Sequence, residues 1–210
     1  KDTILILFLV LQLTANSGFS KDNNLTFSGN FGLPGIIDLP TAQKFSDGEL
    51  VFTQQVHRSL ARSGVAFQAL PWLGLAFRYS GHGIGGSEAY NRINHDRSFD
   101  AHLSILDEGI YRPALSIGLK DFIGTGWYSS EYIVSTKSVG LLTMTMGLGY
   151  GRLKGKNSFN NPLGLIDDRF KDRQKNSFGK GGTLGTINWF QGEASLFYGA
   201  TFKISPKINF

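Results

Sequence analysis

Between Arg112 and Arg152 the chain alternates with period two three times in succession. Leu115, Ile117 and Leu119 stand against Ala114, Ser116, Gly118 and Lys120. Tyr132, Val134 and Thr136 stand against Glu131, Ile133, Ser135 and Lys137. Leu142, Met144, Met146, Leu148 and Tyr150 stand against Thr143, Thr145, Gly147, Gly149 and Gly151. Successive side chains of a strand point to opposite faces, so each run predicts a strand with one apolar face and one small or polar face. This reading sets Lys120, Glu131 and Lys137 on the polar face, and the core of a soluble sandwich rarely accepts such charges. An antiparallel meander with an apolar outside and a polar inside is the pattern of a transmembrane β-barrel. A sheet with its apolar face on a core and its polar face in water gives the same periodicity. Alternation alone does not separate the two.

The pattern extends in both directions. Asp47-Gly48 marks a turn and Glu49–His57 a first strand. Val65–Leu70 and Leu75–Ser80 read as a hairpin over Pro71-Trp72-Leu73-Gly74, with Phe77 and Tyr79 outward and Arg78 inward. Ser98–Glu108 carries Phe99, Ala101, Leu103 and Ile105 on one face, and Asp100, His102 and Ser104 on the other. Trp189–Ile204 gathers Leu196, Tyr198, Ala200 and Phe202 on one face. About eight strands result, the smallest size of membrane barrels. His82–Asp96 reads as a polar loop, and Lys154–Gly185 as a long, charged, glycine-rich one. Tight connections on one side and long ones on the other are a barrel trait.

Two stretches break the alternation. Asn30–Ala42 (NFGLPGIIDLPTA) is too rich in Gly and Pro for a helix or a central strand. It nevertheless carries Phe31, Leu33, Ile36, Ile37 and Leu39, so an ordered, irregular lead-in tucked against or into the barrel is expected. Ser205-Pro206-Lys207 reads as a turn, because a proline has no donor for a closing ladder. Ile208-Asn209-Phe210 then begins a strand that these residues do not finish, and an incomplete barrel is expected.

The N-terminus adds an export signal. Lys1 precedes the apolar run Ile4–Leu11, and Thr14–Ser17 is small and polar, the layout of a secretory signal peptide too short to span a membrane. The expected division is residues 1–20 as signal, 21–48 as lead-in, and 49–210 as an antiparallel barrel domain truncated at its C-terminus. Export permits disulfides, yet the sequence has no cysteine. That excludes a disulfide scaffold, thiolate metal sites, a cysteine nucleophile and a lipid-modified cysteine within these residues. The 27 Gly, 17 Phe, 7 Tyr and 3 Trp suit crowded barrel interiors and interfacial aromatic girdles. A net charge of +5 without a basic helix points away from nucleic acid and toward an anionic lipid or polysaccharide surface.

No catalytic, cofactor or metal constellation is expected. His57, His82, His95 and His102 lack the spacing of a metal pair on one element. Gly81–Gly86 has no following helix to make a phosphate loop. Asp167-Asp168 lies among Arg169, Lys171 and Arg173, which reads as a solvated cluster. Arg78, Asp100, Lys120, Glu131 and Lys137 are the expected lumen-facing residues. Glu131 with Lys120 and Lys137 is expected to form an interior ion network, since charges in a narrow barrel need partners.

Asn30–Ala42, Leu70-Pro71-Trp72 with Phe77-Arg78-Tyr79, Ser98-Phe99-Asp100, and above all Ile117–Lys137 (IGLKDFIGTGWYSSEYIVSTK) resemble the N-terminal portion of the YjbH-type exopolysaccharide biosynthesis family. The resemblance runs from about Asn30 to the C-terminus. It implies an outer-membrane β-barrel that assists polymer secretion or assembly and is not an enzyme. The partners it implies are outer-membrane lipid, an exopolysaccharide chain and other exopolysaccharide secretion proteins. Members are longer than this chain, and some are lipoproteins. A partner barrel that conducts nothing is the first alternative. An enzyme acting on the polymer is the second, disfavoured because no carboxylate pair falls in a plausible cleft.

Overall fold

The structure, a computed structural model, describes residues 26–57, 60–82, 94–174, 183–184, 188–205 and 208–209. The signal expected over residues 1–20, most of the His82–Asp96 loop, and Pro206 lie outside them.

The described chain is an all-β antiparallel meander. In the lead-in, β1 (Gly35–Ile36) and β2 (Leu39–Pro40) pair as a small hairpin. Eight long strands follow: β3 (Leu50–His57), β4 (Leu60–Leu70), β5 (Leu73–His82), β6 (Asn94–Leu106), β7 (Ala114–Gly124), β8 (Ser130–Val139), β9 (Leu142–Gly149) and β11 (Ser195–Ser205). Each pairs with its sequence neighbour, β9 with β11 across the long connection. The short β10 (Thr183–Leu184) pairs with β7, and β12 (Ile208–Asn209) pairs antiparallel with β11, while Pro206 and Lys207 of the expected turn lie outside the described residues. The sheet does not close: among the described residues β3 pairs only with β4 and β12 only with β11.

Several strand limits differ from the sequence reading: β4 begins at Leu60 rather than Val65, and β6 at Asn94 rather than Ser98, so Asn94–Asp96 belong to a strand and not to the loop. Leu73 and Gly74 join the β5 ladder, so the hairpin turns on Pro71-Trp72 alone, with a register shift at Gln68 absorbing the difference. The last long strand starts at Ser195 rather than Trp189. Residues before it are held by other contacts: Phe190 donates its N–H to the Glu131 carboxylate at 3.1 Å, and Ala194 bridges Phe159.

The sheet has the expected two faces, and they are inverted relative to a soluble protein. Phe52, Phe77, Phe99, Met144, Met146, Leu196, Tyr198 and Phe202 stand exposed on one side. Arg62, Gln68, Arg78, Asp96, Asp100, His102, Ser116, Lys120, Thr136 and Thr145 are buried on the other. Met146 is 61% exposed while Arg78 is 1% exposed, the reverse of the usual partition. The lead-in causes this burial by filling the concave side. Thr26 donates its hydroxyl to the Lys44 carbonyl at 3.0 Å, so the segment enters and leaves together as a folded-back loop. Leu33 and Phe45 pack on Ala66 and Ala76 of β4 and β5, while Leu39 and Ala42 join Ala114, Tyr132, Val134 and Phe197. Glycines make room on the wall: a side chain at Gly118 would run into the Tyr132 ring, and one at Gly147 into Phe197.

Connections at the two rims are unequal. Among the described residues, one rim carries 71–72, 107–113 and 140–141; the other carries the ends of β5 and β6 at His82 and Asn94, residues 125–129, and both ends of the long connection between β9 and β11. The tip of the lead-in reaches this second, long-loop rim, where Phe31 meets Tyr128. Its base lies at the short-turn rim, where Lys44 pairs with Asp107 at 2.6 Å.

Candidate functional site: an aromatic and cationic cluster on the inner face

The backbone at the lead-in tip doubles back between Gly29 and Leu33, with Gly32 at φ +92° where a side chain would be strained. This turn projects Phe31 toward the wall. Three cations from three different strands converge on its ring: Lys120 at 4.1 Å from the centroid, Arg62 at 4.5 Å and Arg78 at 4.8 Å. Tyr128 meets the ring edge-on at 5.8 Å and itself lies near Arg62 and Arg78. The negative faces of the rings attract cations most strongly where water is excluded.

The cations are held from behind. Arg78 donates to the Asp100 carboxylate at 2.6 Å in full burial. The other Asp100 oxygen accepts the Asp121 N–H at 2.8 Å, and the Asp121 carboxylate accepts the Tyr128 N–H at 2.9 Å. A hydrogen-bonded relay thus runs from the β5–β6 ion pair to the aromatic loop. It depends on Asp121 sitting at φ +53°, where the β6–β7 register shifts. Arg62 is fixed by Gln55, by Ser80 and by the Asn30 carbonyl. Lys120 makes one long hydrogen bond, 3.5 Å, to the Asp38 carbonyl. Deeper along the wall, Ser116 donates to the Ala42 carbonyl, Ala42 donates to Thr136, and His102 Nδ1 lies 2.9 Å from the Tyr132 hydroxyl.

Of the five residues expected to face a lumen, Arg78, Asp100 and Lys120 are buried on the inner face of the open sheet, within one cluster. Glu131 and Lys137 are not on that face, and the interior ion network expected of them with Lys120 is not formed. On β8 the face assignment is reversed: Tyr132, Val134 and Thr136 point inward against the lead-in. Glu131 and Lys137 therefore point outward. Glu131 is buried there by the long connection, bound by Arg173 at 2.6 and 3.0 Å. Lys137 pairs with Glu108 at 3.0 Å near the short-turn rim. Sequence reasoning passed over Arg62, Phe31 and Tyr128 as site residues. The available signal was an arginine at an inward position of β4, opposite a lead-in aromatic.

Asp168 is exposed and Asp167 partly so, and Lys171 and Arg169 engage them, the charged cluster expected there. Beside the Phe31 cluster a cleft of about 470 Å³ opens at the long-loop rim, bordered by Phe31, Asp38, Lys120, Tyr128, Arg152 and Lys154. Buried polar atoms without a protein partner face the same interior, among them Arg78 Nε and Nη2, Asp96 Oδ2, Ser98 Oγ and His102 Nε2. Groups of that kind are met by ordered water, so the interior is a hydrophilic surface.

Phe31→Ala removes the ring that all three cations face. At about 0.5–2 kcal/mol per contact, a loss of about 2–3 kcal/mol is expected, read as an earlier urea midpoint and faster proteolysis of the lead-in. Phe31→Trp, which keeps a π face, should retain most of the stability. Equal losses in both variants would show that the cations do not depend on the ring.

No solved structure matches this chain with significance. A protein of Escherichia coli (strain K12), named "Uncharacterized lipoprotein YjbH", is 30% identical over 183 residues, which cover 83% of this chain and 26% of that protein. The chain therefore spans about a quarter of the length of the curated relative it matches. The model of the YjbH family, described as "Exopolysaccharide biosynthesis protein YbjH", matches residues 28–210, from the lead-in through the whole described sheet, and the chain belongs to this family.

Proposed function

We propose that the chain forms wall and plug of an outer-membrane β-barrel that assists exopolysaccharide secretion or assembly without catalysing a reaction. The observation that carries the reading is the inverted sheet: Phe52, Phe77, Met146 and Tyr198 exposed outside, Arg78, Asp100 and Lys120 buried inside. In water such an outer face is an aggregation hazard; in hydrocarbon it is the stable arrangement. Long connections at one rim and short ones at the other support it, as does membership of an exopolysaccharide biosynthesis family. The relative's description as a lipoprotein supports a membrane-associated site of action. Among the described residues no helix is long and apolar enough to cross a membrane, so a crossing here would be made by strands.

The non-enzymatic part of the reading draws support from the state of the carboxylates. Asp100 is engaged by Arg78 and by the Asp121 N–H, and Glu131 by Arg173 and the Phe190 N–H. Glycoside hydrolysis needs two carboxylates facing one bond, and among the described residues Asp38 is the one carboxylate that borders the cleft. The filled concave side favours a role in assembly over free conduction. The protein is expected to fractionate with the outer membrane and to resist salt and carbonate extraction, and its loss to reduce secreted polysaccharide. Recovery in the soluble periplasm would overturn the barrel reading. Conductance in a planar bilayer separates an open pore from a plugged assembly partner, which stays silent.

A further inference from the structure

The cleft at the long-loop rim has more positive charge than its surroundings satisfy. Lys120 lies at its floor, almost fully buried, with a single long hydrogen bond to a carbonyl and no carboxylate ion pair among the described residues. Arg152 follows β9 at the mouth of the cleft. Its side chain is exposed and, among the described residues, meets the Tyr128 ring at 6.0 Å without an ion pair. Lys154, the third cation of the border, is already paired with Glu193. The acidic group of the cleft is Asp38, whose carboxylate accepts from Asn30 at 3.0 Å. Two underused cations against one engaged carboxylate leave the cleft receptive to an anion. A buried ammonium without an ion-pair partner is costly, and an incoming carboxylate relieves that cost.

The remaining border is aromatic and hydroxylic: Phe31 and Tyr128 offer apolar ring surface, and Ser130 and Asp38 offer hydrogen-bonding groups. A ligand that fits must be anionic at one end, apolar on one face and rich in hydroxyls elsewhere. An acidic sugar has all three properties on one ring. The volume of about 470 Å³ lies in the usual range of small-ligand sites and accommodates a sugar unit with its neighbours in a chain.

We propose that this cleft binds an acidic saccharide, its carboxylate between Lys120 and Arg152 and its ring against Phe31 and Tyr128. The inference rests on the reading of the chain as an exopolysaccharide-handling protein and narrows the polymer to one carrying carboxylate groups. It also assigns Arg152, which the sequence pattern does not single out, as the exposed determinant of charge selectivity.

The test is isothermal titration of the full-length protein in detergent with a tetrasaccharide containing glucuronate, beside the same tetrasaccharide with its carboxyls reduced to alcohols. The acidic form is expected to bind, and the reduced form to bind about tenfold more weakly, the share of one charge-assisted hydrogen-bond pair. Arg152→Gln should weaken the acidic form about tenfold and leave the reduced form unchanged. Arg152→Lys should recover part of the loss, and Arg169→Gln, at an exposed position that does not border the cleft, should have no effect. Equal affinity for the two sugars, full affinity in Arg152→Gln, or binding of neither sugar would each overturn the proposal. Fractionation tests the barrel reading separately. An outer-membrane protein that ignores both sugars sinks only this inference, and a soluble protein that binds the acidic one sinks only the other.

Discussion

Met146→Arg is expected, on the barrel reading proposed above, to destabilise the protein in lipid by about 2–4 kcal/mol, the depth-dependent cost of arginine near the midplane of a barrel's outer face. Met146 sits at the centre of β9, paired with Ser135 on one side and Tyr198 on the other, and its side chain is exposed. Leu142→Arg, on the same face at the end of the strand, should cost only about 0–1 kcal/mol, because near an interface the guanidinium reaches water. The gradient between the two variants is the measurement, taken from denaturant unfolding in vesicles. A soluble sheet with this face in water would give no gradient, since surface substitutions there stay within about ±0.5 kcal/mol. Two equal, small values would therefore remove the membrane from the account. The inner face needs a different probe. An arginine at Gly147 would collide with the Phe197 ring whether or not lipid lies outside.

Period-two alternation gave the strands of this sheet and most of their order because hairpin connections leave little choice of neighbour. It also placed β7, β9 and β11 the right way round. On β7 and β9 one face is uniformly apolar and the other is small or polar, and on β11 Leu196, Tyr198 and Phe202 on one face outweigh the lone inward Phe197, so the pattern itself names the outside. On β8 it could not. Tyr132 and Val134 share one face, Ile133 shares the other with two charges, and alternation says only that they are opposed. What decides is the lead-in, which sets Leu39 and Ala42 on the concave side and makes an apolar inward surface favourable there. The charges left outside are then met by partners distant in sequence: Glu131 by Arg173, Lys137 by Glu108. A charged side chain near a strand end can reach a loop, so its sign carries little information about which way it faces.

The lead-in was legible for the opposite reason. Gly and Pro ruled out regular structure, while Phe31, Leu33 and Leu39 demanded burial, and the concave side was the surface available to satisfy both. That three cations would meet on Phe31 was not legible. Arg62, Arg78 and Lys120 come from three strands and become neighbours only once the sheet curls around the segment. Closure was also beyond the periodic signal, which specifies neighbours along the meander and is silent about whether its first and last strands meet.

Asp100→Asn is expected to be the most damaging single substitution in the interior. Arg78 and Asp100 are both buried, and among the described residues the Arg78 nitrogens Nε and Nη2 have no protein acceptor. Removing the carboxylate charge leaves a guanidinium in the wall with only ring faces for company, and breaking a buried pair in this way costs about 3–5 kcal/mol. The loss should exceed that from Lys137→Ala, whose half-exposed partner Glu108 makes a surface pair worth about 0–1 kcal/mol. The pair should nevertheless be replaceable. Arg78→Met with Asp100→Leu removes both charges together with their desolvation cost, and the double variant should be markedly more stable than Asp100→Asn alone. Denaturant unfolding of the wild type, Arg78→Met, Asp100→Leu and the double variant closes a cycle, with an expected coupling of at least about 2 kcal/mol. The relay from Asp100 through Asp121 to Tyr128 adds a second readout. Tyr128 fluorescence and protease access at the long-loop rim should change in Asp100→Asn, because the carboxylate holds the Asp121 N–H that positions the loop. Additive single-variant losses, with an unchanged rim, would mean that the two charges are solvated independently and that the interior is wide enough to hydrate each of them.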